Sequence, residues 1–120
     1  MIKGLNIDKY LGGDKILNDV NIHVKKGSIY GLIGPNGAGK TTLLKTLVDI
    51  YVPESGEVYI LDENIQENVK VKSKIGYVAD SLNFYPDFKL ADVIDFYRNT
   101  YENWDEGRYI QLKNIFKLDE

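Results

Sequence analysis

Residues 34–41 constrain the fold of this chain more than any other segment. They read Gly-Pro-Asn-Gly-Ala-Gly-Lys-Thr, and they lie between an apolar run at residues 29–33 and a segment of helical periodicity that starts near Lys40. Glycines let successive backbone N–H groups of such a loop turn inward, and the following helix N-terminus adds its positive end. Because the pattern G-x-x-x-x-G-K-[ST] stands between a strand and a helix, we predict a loop that binds a polyphosphate.

The polar residues of this loop have different predicted roles. We expect the Lys40 ammonium to lie between the β- and γ-phosphates of a nucleotide as the catalytic residue of the loop, and the Thr41 hydroxyl to reach Mg²⁺. Thr42 follows one position later and is placed to reach an α-phosphate oxygen. The alternative is a glycine-rich turn that binds nothing. The predicted phosphate-binding set is Gly34, Asn36, Gly37, Ala38, Gly39, Lys40, Thr41 and Thr42.

Composition excludes several other kinds of protein and site. The 15 Lys and Arg residues against 18 Asp and Glu give a formal net charge of −3, so no overall positive field attracts nucleic acid, and we expect none as a partner. The absence of cysteine excludes disulfide scaffolds and thiolate metal sites, and a single histidine, His23, excludes a zinc site built on two imidazoles. The absence of cysteine fits a cytoplasmic protein, and because no stretch approaches the ~18 apolar residues of a membrane span, we expect any membrane role to be peripheral.

Hydropathy patterns predict the elements around the loop. Apolar and polar residues alternate over residues 5–8 and 20–24, which predicts two antiparallel strands, with turns at residues 12–13 and 26–27. The continuous apolar run at residues 29–33 predicts a core strand that is buried on both faces. The remaining predicted elements are a helix over residues 40–50, strands over residues 57–61 and 74–78, and two helices after Pro86, the second of which begins behind Asp105 and Glu106.

Residues 34–44, Gly-Pro-Asn-Gly-Ala-Gly-Lys-Thr-Thr-Leu-Leu, closely resemble the Walker A segment of ABC transporter ATP-binding subunits. The likeness extends over essentially the whole chain, through residues 20–31, 53–58, 75–78 and 85–87, and residues 96–105 look most like simple bacterial exporter ATPases. The resemblance implies a truncated α/β fold of the P-loop NTPase type. It implies an antiparallel β-layer, P-loop and Q-loop region at residues 1–80 and the start of a helical subdomain at residues 81–120.

The same resemblance implies an adenine site and a metal site. Tyr10 matches the family position whose ring stacks on adenine, and Ile16 matches the apolar position beside it; the alternative for Tyr10 is an aromatic residue at the rim of a hairpin. Asp80 stands where the family has the Q-loop glutamine, so we expect Thr41 and Asp80 to contact Mg²⁺. The alternative for Asp80 is a solvated loop acid.

Further implications concern partners. The resemblance implies binding of ATP and ADP, membrane permease subunits, and a second ATP-binding subunit in a homo- or heterodimer at the inner face of the cell membrane. Four aromatic residues form the predicted contact with the membrane subunit, with ordinary helix packing as the alternative: Phe84, Tyr85, Phe88 and Phe96.

The function implied is ATP binding and, in the complete protein, ATP hydrolysis that powers transmembrane transport. The family's signature segment, Walker B acids and switch histidine follow the position of Glu120, so we expect the 120 residues alone to bind nucleotide with little or no hydrolysis. We also expect their uncovered apolar surface to cause self-association. The alternatives are a non-catalytic nucleotide-binding module or truncated regulatory fragment, and an ABC ATPase that acts on nucleic acid or ribosomes.

Overall fold

The computed structural model of the chain describes residues 1–81 and 87–118. Contacts between residues divide the chain into two units, of which the first spans Met1–Tyr77 and the second begins at Val78. The elements, in chain order, are β1 (Ile2–Leu11), β2 (Asp14–Val24), α1 (Lys40–Leu47), β3 (Ser55–Ile60), β4 (Glu63–Asn64), α2 (Val69–Lys72), α3 (Leu90–Thr100) and α4 (Glu106–Phe116).

The strands of the first unit form an antiparallel sheet in the order β2-β1-β3-β4. Strands β1 and β2 form the predicted hairpin, with Ile2 opposite Val24 and Leu11 opposite Asp14. The turn between them consists of Gly12 and Gly13, which both have positive φ. This confirms the hairpin that the alternating residues and the glycine pair predict.

One face of the sheet carries the core, and helix α1 packs against it. The helix contributes Leu43 and Leu47, which are 6% and 5% exposed, and the sheet contributes the fully buried Ile7. The other buried members of this cluster are Leu17, Val58, Ile60, Ile65 and Val71. The core thus fixes the helix that follows the glycine-rich loop directly onto the β-layer.

Helix α1 is shorter than its apolar periodicity predicts, because its end is set by the backbone of Asp49. Asp49 has a φ of +60°, and the N–H groups of Ile50 and Tyr51 donate to the Lys45 carbonyl at 2.9 and 3.1 Å. Such bonds satisfy the last carbonyls of a helix and reverse the chain. The Asp49 carboxylate, which is 8% exposed, pairs with the Lys72 ammonium at the end of α2.

Two predicted strands are wrong. Residues 29–33 and 74–78 do not form strands, and Ile29 and Ile33 are almost fully exposed, although Leu32 packs against the core. A strand needs a hydrogen-bonded neighbour, and among the described residues the only sheet is β2-β1-β3-β4. Residues 26 and 27 form the predicted turn, but no second strand follows it to complete a hairpin.

The second unit contains both predicted helices, α3 and α4. Arg98 of α3 donates two hydrogen bonds of 3.0 Å to Glu106 of α4, and the Trp104 indole N–H donates to the same carboxylate at 2.6 Å. The Asp105 side chain caps α4 by accepting from the Arg108 N–H at 2.9 Å. None of the helices in the described parts of the chain is long and apolar enough to cross a membrane.

Candidate phosphate-binding site

The loop between residues 33 and 40 turns tightly at two glycines. Gly37 and Gly39 have φ values of +83° and +89°, a region that L side chains rarely adopt, and the Ala38 N–H donates to the Pro35 carbonyl at 3.2 Å. Gly39 also lies very close to strand β2. A Cβ at this position would be 3.2 Å from the Ile16 carbonyl oxygen and 3.3 Å from Leu17 Cδ2. The glycine therefore lets the loop and the start of α1 approach the sheet.

Lys40 is held against the backbone of the loop. Its ammonium donates to the carbonyl oxygens of Gly34 and Pro35, each at 2.6 Å. A lysine ammonium has three donors, so these bonds occupy two of them and leave one direction for an acceptor in the loop. The positive charge of Lys40 is thereby held against the backbone of the loop.

The start of α1 favours an anion. The cap residue is Gly39, which has no side chain to cover the helix terminus, and no acidic residue lies in the first turn of the helix. Because the N-terminal end of a helix carries partial positive charge, a phosphate group at this end is stabilised without a competing carboxylate. The structure therefore brings Lys40, the helix terminus and the glycine turn to one place.

Thr41 and Thr42 have different surroundings in that first turn. Thr41 is exposed, whereas Thr42 is only 9% exposed and its carbonyl accepts a 2.8 Å hydrogen bond from the Thr46 hydroxyl. Thr41 therefore lies at the surface of the protein. Thr42 faces mainly the protein.

Tyr10 and Ile16 lie on neighbouring strands. Tyr10 is 43% exposed on β1 and stands opposite Lys15 in the register with β2, so Ile16 is the next residue along the partner strand. Ile16 is half-buried against the core and meets Gly39 of the loop. The sheet thus links the position of the predicted adenine contact to the phosphate-binding loop.

The family model described as ABC transporter matches residues 17–119. The chain belongs to the ABC transporter family. It is 32% identical to the ABC transporter ATP-binding protein YtrB of Bacillus subtilis (strain 168) over all of its length and 41% of that relative. It is 40% identical to the bacitracin transport ATP-binding protein BcrA of Enterococcus faecalis over 71% of its length and 28% of that relative. The chain therefore spans less than half of either relative.

A solved structure gives the same classification. The bacterial ABC transporter cassette MJ0796, described as dimeric, matches all of this chain with a TM-score of 0.80 and 26% identity, and the chain covers 59% of that protein. The predicted ABC family and its P-loop NTPase fold are confirmed.

Several ABC family positions stay predictions. Asp80 is exposed in the second unit, and its contact with Mg²⁺ stays a prediction. Phe88 and Phe96 are 49% and 61% exposed, and the predicted aromatic contact also includes Phe84 and Tyr85, which lie outside the described residues. The division at residue 80 into a β-layer and a helical subdomain is likewise a prediction.

The ABC family implies a Mg²⁺ ion beside the bound nucleotide. The described ranges, 1–81 and 87–118, contain no group of three or more His, Asp or Glu residues that could hold a metal ion. Mg²⁺ binds through one or two protein oxygens together with phosphate oxygens and water, and a threonine hydroxyl beside a bound triphosphate meets this need. The exposed Thr41 fits that role.

Two ion pairs beside Tyr10 were not predicted from the sequence. Glu54 accepts from Lys9 Nζ at 2.8 Å and from the Tyr10 N–H at 2.9 Å, and these bonds lower the pKa of the carboxyl. Asp8 has a lowered pKa because it accepts from the Asp19 N–H and pairs with Lys15. These ion pairs depend on the tertiary structure, because it brings together residues that are separated in the sequence.

Proposed function

We propose that this chain binds the triphosphate of a purine nucleotide, ATP, in the loop at residues 34–42. The observation that carries the proposal is the fixed position of the Lys40 ammonium, bound to two loop carbonyls at 2.6 Å beside the start of a helix without an acidic first turn. The backbone amides, the helix terminus and the lysine all favour several negative charges in one small volume. A triphosphate is the ligand that this arrangement fits best.

The proposed roles follow the positions of the residues. The glycines Gly34, Gly37 and Gly39 allow close backbone approach, with Asn36 and Ala38 between them, and Lys40 contacts the β- and γ-phosphates. Thr41 supplies an oxygen to Mg²⁺, Asp80 takes the place of the Q-loop glutamine, and Thr42 serves the α-phosphate. Tyr10 stacks on the adenine ring and Ile16 lies beside it.

Isothermal titration calorimetry tests the proposal directly. Mg-ATP and Mg-ADP are titrated into the unmodified chain, Lys40→Ala and Lys45→Ala, the last of which removes a lysine from the other end of the same helix. We expect saturable binding to the unmodified chain and Lys45→Ala, and at least about tenfold weaker binding to Lys40→Ala, because a charge-assisted contact is worth ~1.5–3 kcal/mol. Equal affinities for all three proteins would refute the role of the loop.

We also propose that ATP binding and hydrolysis by the complete protein power transmembrane transport of the exporter type. The chain matches ATP-binding proteins of transporters, one of which is named for bacitracin transport. The proposed partners are permease subunits and a second ATP-binding subunit at the cytoplasmic face of the membrane, and the dimeric MJ0796 cassette supports such pairing. Co-purification of the complete protein with a permease whose gene lies beside its own tests the proposed pairing. Recovery of the protein only in the absence of any permease would oppose the pairing.

For the 120 residues alone, we propose nucleotide binding with little or no hydrolysis. The phosphate-binding residues Lys40 and Thr41 are present, but the position matched to the Q-loop glutamine is Asp80, a shorter and charged side chain. Hydrolysis needs an oriented water in addition to neutralised phosphate charge. Robust steady-state phosphate release that disappears in Lys40→Ala would contradict this proposal.

A further inference from the structure

The Lys15 ammonium lies over the ring of Tyr10. The two residues are directly opposite in the register of β1 and β2, and Lys15 Nζ is 5.7 Å from the centroid of the ring. A cation within about 6 Å of an aromatic centroid is attracted by the ring, so this contact limits the orientations that the tyrosine side chain adopts. Tyr10 remains 43% exposed, so much of its ring surface is still open to a ligand.

Lys15 is itself held in place by an acid. Its ammonium is 2.9 Å from Asp8 Oδ2, and Asp8 Oδ1 accepts a 2.7 Å hydrogen bond from the Asp19 N–H. The side chains of Lys15 and Asp8 are 33% and 25% exposed, so the pair is partly shielded from water. The cation over the ring is therefore anchored to the backbone of β2 through Asp8.

The backbone of Tyr10 has a second anchor. Its N–H donates to Glu54 Oε2 at 2.9 Å, and the other oxygen of that carboxylate accepts from Lys9 Nζ at 2.8 Å. Lys9 Nζ also donates to the Val52 carbonyl at 2.7 Å. The main chain of Tyr10 is thus held by the carboxylate of one ion pair, and its ring lies beneath the cation of another.

We propose that Lys15 is a positioning residue for the base of the bound nucleotide. It restrains the Tyr10 ring before binding and leaves the open part of the ring for a flat, aromatic base, which lowers the ordering cost of stacking. The inference rests on the proposed function, since it takes the nucleotide base to lie on Tyr10. It adds that the affinity contributed by the base, and not that contributed by the phosphates, depends on the cation at position 15.

The test compares a ligand that has the base with one that lacks it. Mg-ATP and Mg-tripolyphosphate are titrated calorimetrically into the unmodified chain, Lys15→Met, Lys15→Arg, Tyr10→Leu and the Tyr10→Leu/Lys15→Met double variant. Lys25→Met, at an exposed position just after β2, is the control. Far-UV circular dichroism and the tripolyphosphate affinity both report whether each variant keeps its fold.

We expect Lys15→Met to bind Mg-ATP about two- to ten-fold more weakly and Mg-tripolyphosphate unchanged, because the Tyr10 side chain must then be ordered on binding. Lys15→Arg should restore the Mg-ATP affinity, and Lys15→Met should cause no further loss in the Tyr10→Leu background.

Three results would overturn the inference. Unchanged Mg-ATP affinity in Lys15→Met, with a loss in Tyr10→Leu, would refute the role of Lys15 and leave the proposed function intact. An equal loss for both ligands in Lys15→Met would assign Lys15 to the phosphates or to the fold. Failure of the unmodified chain to bind either ligand would refute the proposed function and, with it, this inference.

Discussion

Gly56 of strand β3 is the position where an added methyl group should cost the most stability. In the pairing of β1 with β3, Leu5 lies opposite Glu57 and Asp8 opposite Ser55, so two residues of β1 face Gly56 alone. This is a β-bulge, and it brings the β1 backbone against the glycine. A Cβ on Gly56 would lie 2.5 Å from the carbonyl oxygens of both Leu5 and Asn6, and the φ of Gly56 is +91°.

The loss of stability expected for Gly56→Ala has two parts. Holding an L side chain at a positive φ costs about 1–2 kcal/mol. Forcing a methyl group into a space already filled by backbone costs about 1–3 kcal/mol more, because the strands must separate at the bulge. We therefore expect Gly56→Ala to lower the free energy of unfolding by about 2–5 kcal/mol.

Substitutions at two other glycines distinguish the backbone cost from the cost of the close contact. Gly27 has a φ of +75° but nothing within 4 Å of an added Cβ, so Gly27→Ala should show only the backbone cost of about 1–2 kcal/mol. Gly76 has neither feature, so Gly76→Ala should stay within about 0.5 kcal/mol of the parent. The smaller flexibility of alanine in the unfolded chain affects all three substitutions alike.

Urea unfolding followed by far-UV circular dichroism in the β-sheet region measures these differences. Fluorescence is unsuitable, because the one tryptophan, Trp104, lies in the second unit. Equal losses for Gly56→Ala and Gly27→Ala would refute the argument, since the close contact with β1 would then contribute nothing.

Three further predictions concern stability. Below pH 4 the ion pairs of Asp8 and Glu54 should be lost. Because the pKa values of these carboxyls are lowered in the folded state, the ion pairs contribute to the free energy of unfolding above the ordinary carboxyl pKa, and this contribution is lost as the pH falls through the lowered value. A urea midpoint with the same acid dependence in the Asp8→Asn/Glu54→Gln variant would contradict this. Asp105→Ala should lower the free energy of unfolding of the second unit by about 1 kcal/mol through loss of the α4 cap, measured by the fluorescence of Trp104. Asp105→Asn keeps a capping oxygen and is the control. Equal losses for the two variants would exclude capping. Leu43→Ala should cost about 2–5 kcal/mol, and an unchanged midpoint would show that α1 does not pack on the sheet.

The elements that depend on local signals were predictable from the sequence. The β1–β2 hairpin follows from alternating residues around a glycine pair, and the loop at residues 34–41 follows from a motif in which Gly37 and Gly39 have positive φ. Helices α3 and α4 follow from apolar periodicity and, for α4, from the acidic pair Asp105 and Glu106 at its start. Each of these signals lies within the segment that it organises.

The features that depend on distant partners were not predictable. The apolar run at residues 29–33 has the composition of a core strand, but a strand forms only where a neighbour supplies hydrogen bonds, and the described residues supply none. The contact of Lys15 with Tyr10 depends on a β1–β2 register that shifts between Lys9 and Tyr10. No sequence pattern within either strand predicts such a shift in register.

The central claim is that residues 34–42 and Tyr10 bind one nucleotide, and the most direct measurement is a titration of ¹⁵N-labelled chain with Mg-ATP followed by amide chemical shifts. The account predicts saturable shifts at the loop amides of Gly37, Gly39 and Thr41, accompanied by shifts at Tyr10 and Ile16. Mg-tripolyphosphate should reproduce the shifts of the loop and leave Tyr10 unchanged. Shifts confined to other surfaces, or none at millimolar Mg-ATP in a folded chain, would contradict the claim.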